Sequence, residues 1–445
     1  MAALKTREKS TTNGDSNVIP QNAHSPDSDT PAGLNTFKVF LPFACGYFLS
    51  YLYRVVNAVI APDIVADLNL NPSQLGLLTS TYFISFASSQ LVLGILLDRY
   101  GPRIINSLLI LFATAGAVVF ATSDTIAGVI LGRTLIGFGV SACLMAAFKA
   151  YVLWFEEKMW PRVNGLQMAA GGLGALTATT PVEWALNMTD WRGLFMLLAL
   201  LSLFVSLMIF FMVPEKSSEK VPESLQSQFV GVKQVFSSPK FWQAAPVTTM
   251  SQATFLSIQG LWAGPWLRDV AGMQRAQIAA TLSWIAIAMI AGFIGLGFIA
   301  EKLNRKGVNL LLISVIGMAI FMVIQGMIIL ETVQKTSLMW ILFGFFGTSG
   351  IIAYAGLSQQ FPGNLSGRVT TGINLLVFVA AFAGQWLIGA IIQLYEGGDV
   401  LSSTQIDHYS IFGYRAGFGA MLALQLIGLF WFIIAGFKKH IHPDT

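Results

Sequence analysis

Three ionisable side chains lie inside long apolar stretches of the sequence: Arg54, Arg133 and Glu183. A charge at the centre of a membrane helix costs roughly 2.5–3.5 kcal/mol on insertion scales, so each of them needs a functional explanation. The spacing predicts that all three lie at comparable depth and that Glu183 pairs with one arginine. The other guanidinium would then lack a countercharge, and its planar fork suits a carboxylate or a phosphate. The pattern predicts an anion site; the alternative is a static Arg133–Glu183 pair, with Arg54 bonded to backbone carbonyls.

A stripe of polar and small residues surrounds Arg54. Its members recur every three or four residues, which places them on one helix face: Tyr47, Ser50, Arg54, Asn57 and Ala61. A lipid-facing helix would not gather its polar groups in this way, so the stripe must face a cavity or another helix. We therefore take Tyr47, Arg54, Asn57 and Arg133 as candidate substrate-binding residues.

The second half of the chain has no comparable charge inside its apolar stretches. It offers neutral polar and aromatic side chains, most of them on one face of a single helix: Gln252, Phe255, Gln259, Trp262 and Trp266, with Tyr354 on a later helix. Such groups can orient a ligand by hydrogen bonds and stacking. The alternative is that they hold helices together. We take all of them except Trp266 as candidate ligand contacts.

The composition shows which elements must position these residues. The chain has 445 residues, is 55% hydrophobic and only 11% charged, with a mean hydropathy of +0.66. Soluble chains carry about a quarter charged residues, and runs of roughly twenty apolar residues can cross a bilayer core. We predict an all-α membrane protein with twelve transmembrane helices. Its predicted parts are a disordered cytoplasmic tail at 1–36, six helices at 37–213, a cytoplasmic linker at 214–240, six helices at 241–437 and a cytoplasmic tail at 438–445.

Charge and cysteine content narrow the location and the chemistry. Most of the 26 lysines and arginines fall in segments that are cytoplasmic if the N-terminus is inside, so both termini are expected there. We expect a multi-pass protein of the plasma (bacterial inner) membrane. A net charge of +4 does not suggest nucleic acid, and Cys45 and Cys143 lie in apolar runs where packing is their expected role. No nucleophile, metal cluster or phosphate loop stands out, so we expect no enzyme, no metal and no cofactor.

A short motif occurs once in each half. The chain reads "GILLDRYGPR" from Gly94 to Arg103 and "GFIAEKLNRK" from Gly297 to Lys306, which indicates an internal repeat. An acid followed by bases at a helix end suits a hinge whose ion pair forms in one conformation and breaks in the other. The candidate hinge residues are Gly94, Asp98, Arg99, Gly101 and Arg103 in the first copy and Glu301, Lys302 and Arg305 in the second. Lys149 is expected to extend to the lipid headgroups, with a role in the substrate pathway as the alternative.

The first motif resembles the cytoplasmic signature G-x3-D-[RK]-x-G-R-[RK] of the major facilitator superfamily, and Arg133, Gly137 and Gly139 resemble its fourth-helix pattern R-x3-G-x-G. The resemblance covers about residues 36–437. It implies two six-helix bundles, related by a pseudo-two-fold axis, that rock around a central site.

Within that superfamily, "YLYRVVNAVIAPDI" is similar to the first helix of the organic anion porters of the anion:cation symporter family. This likeness implies that Arg54 contacts the anion and that Arg133 is its companion. Tyr53 and Val140 stand where those relatives often carry acids tied to proton coupling. Glu183 is therefore the candidate for coupling, with Asp63 as a weaker one.

These observations predict a secondary active transporter of a small solute, an organic anion or an amino-acid-like carboxylate. It would be a monomer in the lipid bilayer that works by alternating access, with protons or Na⁺ as the coupling ion. One alternative is an exporter of drugs, metabolites or siderophores. The helix rich in glycine lacks the Gly-Pro ending typical of exporters, because Pro181 follows Thr180. Another alternative is a sensor or scaffold that no longer transports, which would predict a large extra domain.

Overall fold

The computed structural model describes residues 32–214, 225–331, 336–396 and 408–441, and within these ranges the chain is helical. The α-helices there are α1 (Ala32–Val55), α2 (Asn57–Leu68), α3 (Pro72–Thr122), α4 (Ile126–Gly139), α5 (Cys143–Trp154), α6 (Trp160–Thr177), α7 (Thr180–Leu186), α8 (Trp191–Met212), α9 (Leu225–Phe236), α10 (Pro239–Ser257), α11 (Ala263–Asp269), α12 (Arg275–Asn304), α13 (Leu310–Ile329), α14 (Thr336–Phe346), α15 (Gly350–Ser358), α16 (Gly363–Tyr395) and α17 (Ile411–Ile441).

Eight helical stretches of the described chain are long and apolar enough to cross a membrane. A ninth is gained if the bent pair Phe37–Val55 and Asn57–Leu68 forms one span. Large apolar side chains are exposed along these helices, for example Leu200, Phe204 and Phe298, as expected for surfaces that face lipid. The prediction of an all-α membrane protein is confirmed, whereas twelve spans in two bundles stay a prediction.

The predicted domain boundaries overlap with helices. Helix α1 begins at Ala32, inside the tail predicted at 1–36, and the rest of that tail lies outside the described residues. The predicted linker 214–240 contains α9 and the start of α10. Residues 438–441 of the predicted tail 438–445 belong to α17, and 442–445 lie outside the described residues. The linker is therefore partly helical, and the boundaries themselves remain predictions.

Several long helices are interrupted where the chain needs a change of direction. Helices α1 and α2 meet at Val56 with a bend of 48°. Helix α3 contains a kink at Gly101, whose φ of +78° favours glycine, and the following Pro102 restarts the helix. Between α10 and α11 the residues Ile258–Trp262 form a π-helix, which is a wider turn. Each interruption redirects the side chains that follow it.

The two halves of the chain pack against each other. Helix α3 packs on α4 and α8 within the first half and on α16 of the second half. Helix α12 packs on α6 and α7, and α2 packs on α11 and the π-helix. A cavity between the halves is therefore bordered by helices of both.

Candidate functional site

A cavity of about 280 Å³ lies between the two halves. It is lined by residues of α1, α3, α5, α6, α10, α12, α15 and α16. Six of the nine predicted substrate-binding residues line this cavity, and they are Tyr47, Arg54, Gln252, Phe255, Gln259 and Tyr354. The sequence thus identified most of the polar residues that line this cavity together with Arg54.

Arg54 is the one charged side chain among the described residues that line this cavity. Its guanidinium carbon lies 4.5 Å from the ring centre of Tyr51, 5.6 Å from that of Phe86 and 5.4 Å from that of Phe378. Its side chain forms no ion pair with a carboxylate of the described chain, and its buried Nε has no hydrogen-bond acceptor. Aromatic rings surround the guanidinium, while hydrogen-bonding capacity remains for an anion.

Arg133 and Asn57 lie behind the wall of the cavity and not in it, contrary to their predicted role as ligands. Arg133 is 1% exposed, and its Nη1 donates to the carbonyl of Tyr53 at 2.7 Å. Asn57, with its amide oxygen turned toward Arg133, accepts from Nε at 3.2 Å and from Nη2 at 2.5 Å. The reason is the bend at Val56, which rotates Asn57 away from the stripe. The hydrogen-bonded pair of Arg133 and Asn57 thus stabilises the bend between α1 and α2, next to Arg54.

Trp262 also lies outside the cavity lining. Its Nε1 donates to the carbonyl of Gln385 at 2.9 Å, and Trp266 packs edge-on against Trp340. The π-helix at Ile258–Trp262 adds residues to one turn, so the side chains after it do not continue the face that Gln252 and Gln259 begin. The predicted stripe on this helix therefore ends at Gln259.

Glu183 does not pair with Arg54 or Arg133, so that prediction is wrong. Its carboxylate accepts from Arg275 Nε at 2.8 Å, and Arg275 also donates to both oxygens of Asp63 at 2.8 and 2.7 Å. The physical reason is that Glu183 lies on the short helix α7 (Thr180–Leu186), which packs against α12, where Arg275 is the first residue. This three-residue cluster, which we name the Arg275 cluster, joins α2 and α7 to α12 of the second half.

Hydroxyl groups reinforce that contact between the halves. Ser283 Oγ lies 2.8 Å from Thr179 Oγ1 and 2.7 Å from Thr180 Oγ1. On α16, Trp386 Nε1 donates to Ser73 Oγ at 3.2 Å. The face of the molecule that carries the Arg275 cluster, here termed the cluster side, is thus closed by bonds between the halves.

The first copy of the repeated motif lies on the opposite face, termed the motif side. There Asp98 pairs with Lys149 of α5 at 2.6 Å, so Lys149 is engaged by a carboxylate of its own half. Gly94, Asp98 and Lys149 line a second cavity of about 340 Å³, which shares Met145 and Phe148 with the central one. The central cavity and the motif side are thus adjacent.

The other hinge candidates make local contacts. The guanidinium carbon of Arg99 lies 5.3 Å from the ring of Tyr100, and that of Arg103 lies 5.0 Å from the ring of Phe210. In the second copy, Glu301 and Arg305 form an exposed pair one turn apart at 2.5 Å, and Lys302 is also exposed. Gly101 provides the turn described above. The hinge role of both copies stays a prediction.

Several cavity residues had no clear signal in the sequence. Phe86 and Phe378 stack across the halves with ring centres 4.2 Å apart, and Tyr51 covers Arg54. Asn374 donates to Gln90 Oε1 at 3.3 Å on the same border. Aromatic residues in apolar runs look the same whether they face lipid or a cavity, so only the polar Asn374 and Gln90 could have been found. In the described residues no group of His, Cys, Asp and Glu could hold a metal ion.

An apolar helical chain with a cation in a cavity between its halves is typical of multi-pass membrane proteins that carry solutes. The chain belongs to the major facilitator superfamily, whose profile matches residues 43–385. It is 22% identical to the probable sulfoacetate transporter SauU of Cupriavidus necator over 407 residues, which cover 85% of this chain and 90% of that protein. It is 23% identical to the hexuronate transporter of Escherichia coli K12, covering 82% and 87% of the two chains.

A solved structure agrees on the fold. The bacterial homologue of the human lysosomal transporter Spinster, in an inward-facing and unoccupied conformation, aligns with a TM-score of 0.72 at 17% identity, covering 91% of this chain and 98% of that one. The profile match confirms the predicted superfamily, and the relatives named here are transporters, in agreement with the prediction of a transporter and not an enzyme.

Proposed function

We propose that the protein is a secondary transporter of a small organic anion, such as a carboxylate, and that Arg54 binds the anionic group. One observation carries the proposal: Arg54 is 8% exposed, lines the cavity between the halves and has no carboxylate partner in the described chain. A buried cation without a countercharge is costly, and a bound anion would supply that charge. The sulfoacetate and hexuronate named for the two relatives are also organic anions.

The proposed transport cycle is alternating access by two six-helix bundles. The cluster side is closed by the Arg275 cluster, while the motif side borders a second cavity. In the proposed orientation both termini are cytoplasmic, so the motif side faces the cytoplasm of a plasma (bacterial inner) membrane. Opening of the cluster side would require the bonds of Arg275 to Asp63 and Glu183 to break, since they join the halves.

Coupling to protons or Na⁺ belongs to the same proposal, with Glu183 as the coupling group. Glu183 is 7% exposed and forms an ion pair that bridges the halves. Protonation would remove its charge and weaken the bond to Arg275. We propose that the protein acts as a monomer, because both halves of one chain line the cavity.

The test is uptake and binding by purified protein in proteoliposomes. Arg54→Ala should abolish uptake of an organic anion while the protein still folds, because Arg54 forms no ion pair within the described chain. Arg162→Ala, which removes an exposed arginine of α6, is the control and should transport normally. Normal anion transport by Arg54→Ala would overturn the proposal. Net transport of the anion from the motif side to the cluster side would identify an exporter instead.

A further inference from the structure

We propose that the cavity selects a monoanion with an apolar, ring-sized body, that is, an aromatic carboxylate, over a hydroxylated sugar acid or a dianion. This inference rests on the proposed function, because it takes Arg54 as the ligand of the anionic group. It then concerns the rest of the bound molecule, which the remainder of the cavity must accept.

The cavity wall is aromatic on both halves of the chain. Eight of the 21 lining side chains are aromatic, and they include Phe86, Phe378, Phe255 and Phe293. The stacked pair of Phe86 and Phe378 lies directly beside the guanidinium of Arg54. A ring that enters this space would gain apolar burial and edge or offset contacts with these rings.

The size of the cavity agrees with one ring and a short acidic arm. An engineered apolar cavity of about 150 Å³ holds a benzene molecule. The present cavity has about 280 Å³, which leaves room for a carboxylate and one or two further carbon atoms beyond the ring.

Most neutral polar groups of the wall are already bonded within the protein. Gln252 Nε2 donates to the carbonyl of Gly347 at 2.9 Å, and Asn374 Nδ2 donates to Gln90 at 3.3 Å. Thr370 Oγ1 lies 3.2 Å from Ser358 Oγ, and Ser50 Oγ lies 3.5 Å from Tyr82 OH. A sugar acid would bury several hydroxyl groups against this wall without enough free partners, which is unfavourable.

The charge of the wall limits the ligand to one negative charge. Arg54 is the one charged side chain among the described residues that line the cavity. Lys149, on the border of the neighbouring cavity, is neutralised by Asp98. A second carboxylate on the ligand would therefore be buried without a cation beside it. The free energy needed to remove it from water would exceed the free energy of any contact that it makes in the cavity.

The experiment measures binding to purified full-length protein with four probes that differ in one property each. Phenylacetate is the expected ligand class, phenylacetamide lacks the charge, homophthalate adds a second carboxylate to the same ring, and D-glucuronate replaces the ring by a hydroxylated body. We expect phenylacetate to bind at least about tenfold more tightly than each of the other three.

Substitutions of wall residues and of Arg54 show separately how much the aromatic wall and the positive charge contribute to binding. Phe378→Leu should weaken phenylacetate about two- to tenfold and leave glucuronate unchanged, because only the ring contact is lost. Phe86→Leu gives the same comparison if the first variant does not fold. Arg54→Gln should remove binding of every anion, and Arg162→Gln should change nothing.

The outcomes separate this inference from the proposed function. Glucuronate or homophthalate could bind as tightly as phenylacetate and still depend on Arg54. That result would support the proposed anion site but contradict the proposal of an aromatic monoanion as substrate. Equal losses for phenylacetate and glucuronate in the Phe378 and Phe86 variants would also overturn it. Binding that is unaffected by Arg54→Gln would overturn both.

Discussion

Arg275 holds the cluster side closed, and its removal should open that side. It makes two hydrogen bonds to Asp63 and one to Glu183, all between 2.7 and 2.8 Å, and all three join the two halves of the chain. Arg275→Ala removes these bonds from the closed state only, because opening would break them in any case. The variant should therefore shift the population toward the state that is open on this side.

The size of this population shift depends on how strongly solvent screens the ion pairs of Arg275. Hydrogen bonds to charged groups contribute about 1.5–3 kcal/mol when buried, but exposed pairs contribute about 0–1 kcal/mol. The side chain of Arg275 is 46% exposed, while those of Asp63 and Glu183 are 29% and 10% exposed. Between these limits the cluster should stabilise the closed state by about 1–3 kcal/mol, which is about a 5- to 150-fold change in the population ratio.

The assay is the labelling rate of a cysteine that only the open state exposes. Ala279 is 2% exposed and lines a small cavity beside Arg275, so Ala279→Cys serves as the reporter once Cys45 and Cys143 are replaced by alanine. A membrane-impermeant maleimide should label it at least about fivefold faster in Arg275→Ala.

Arg192 provides a matched control on the same side of the molecule. It pairs with Asp67 and Asp124 at 2.9 and 3.0 Å, but these partners belong to its own half. Arg192→Gln should therefore leave the labelling rate of the reporter unchanged. Equal rates in the Arg275 variant and the parent, or equal acceleration by both variants, would refute the assignment of Arg275 as a bond that closes the halves.

Three further predictions concern the other charges. Glu183→Gln should make uptake independent of an imposed pH gradient, with Asp63→Asn as the comparison in the same cluster; an unchanged pH dependence in proteoliposomes would exclude Glu183 as the coupling group. Arg133→Ala should lower the free energy of unfolding by about 2–5 kcal/mol, seen as a lower melting temperature, because the Tyr53 carbonyl and Asn57 lose buried bonds. Lys149→Ala and Asp98→Asn should each cost about 1 kcal/mol or less, and a double-mutant cycle should show that their effects are not additive.

Regular helix spacing explains how much of the cavity could be predicted. Tyr47 and Arg54 precede the bend at Val56, and Gln252, Phe255 and Gln259 precede or enter the π-helix, so the predicted faces hold for them. Asn57 follows the bend and Trp262 is the last residue of the π-helix, and neither lines the cavity. A break in a helix depends on packing from distant parts of the chain, which one helix's periodicity does not contain.

The partner of Glu183 could not be found from depth alone. Arg275 lies 92 residues further along the chain and at the start of a helix of the other half. Counting residues from a helix end gives a rough depth, but it does not show which of several helices is the neighbour. The family likeness predicted the hinge residues and the anion ligand, and both stay predictions, whereas the contacts between the halves required the three-dimensional arrangement.

One helix pair, α1 and α2, connects the proposed anion ligand Arg54 to Asp63 of the Arg275 cluster. Arg54 lies at the end of α1 and Asp63 lies on α2, on either side of the bend that Arg133 and Asn57 hold. An anion bound to Arg54 would act on this bend, and a change in the bend would move Asp63 against Arg275. We infer that substrate binding and closure of the cluster side communicate through the bend. Arg133 would then affect the coupling between substrate binding and closure because it stabilises the bend, although its side chain does not line the cavity.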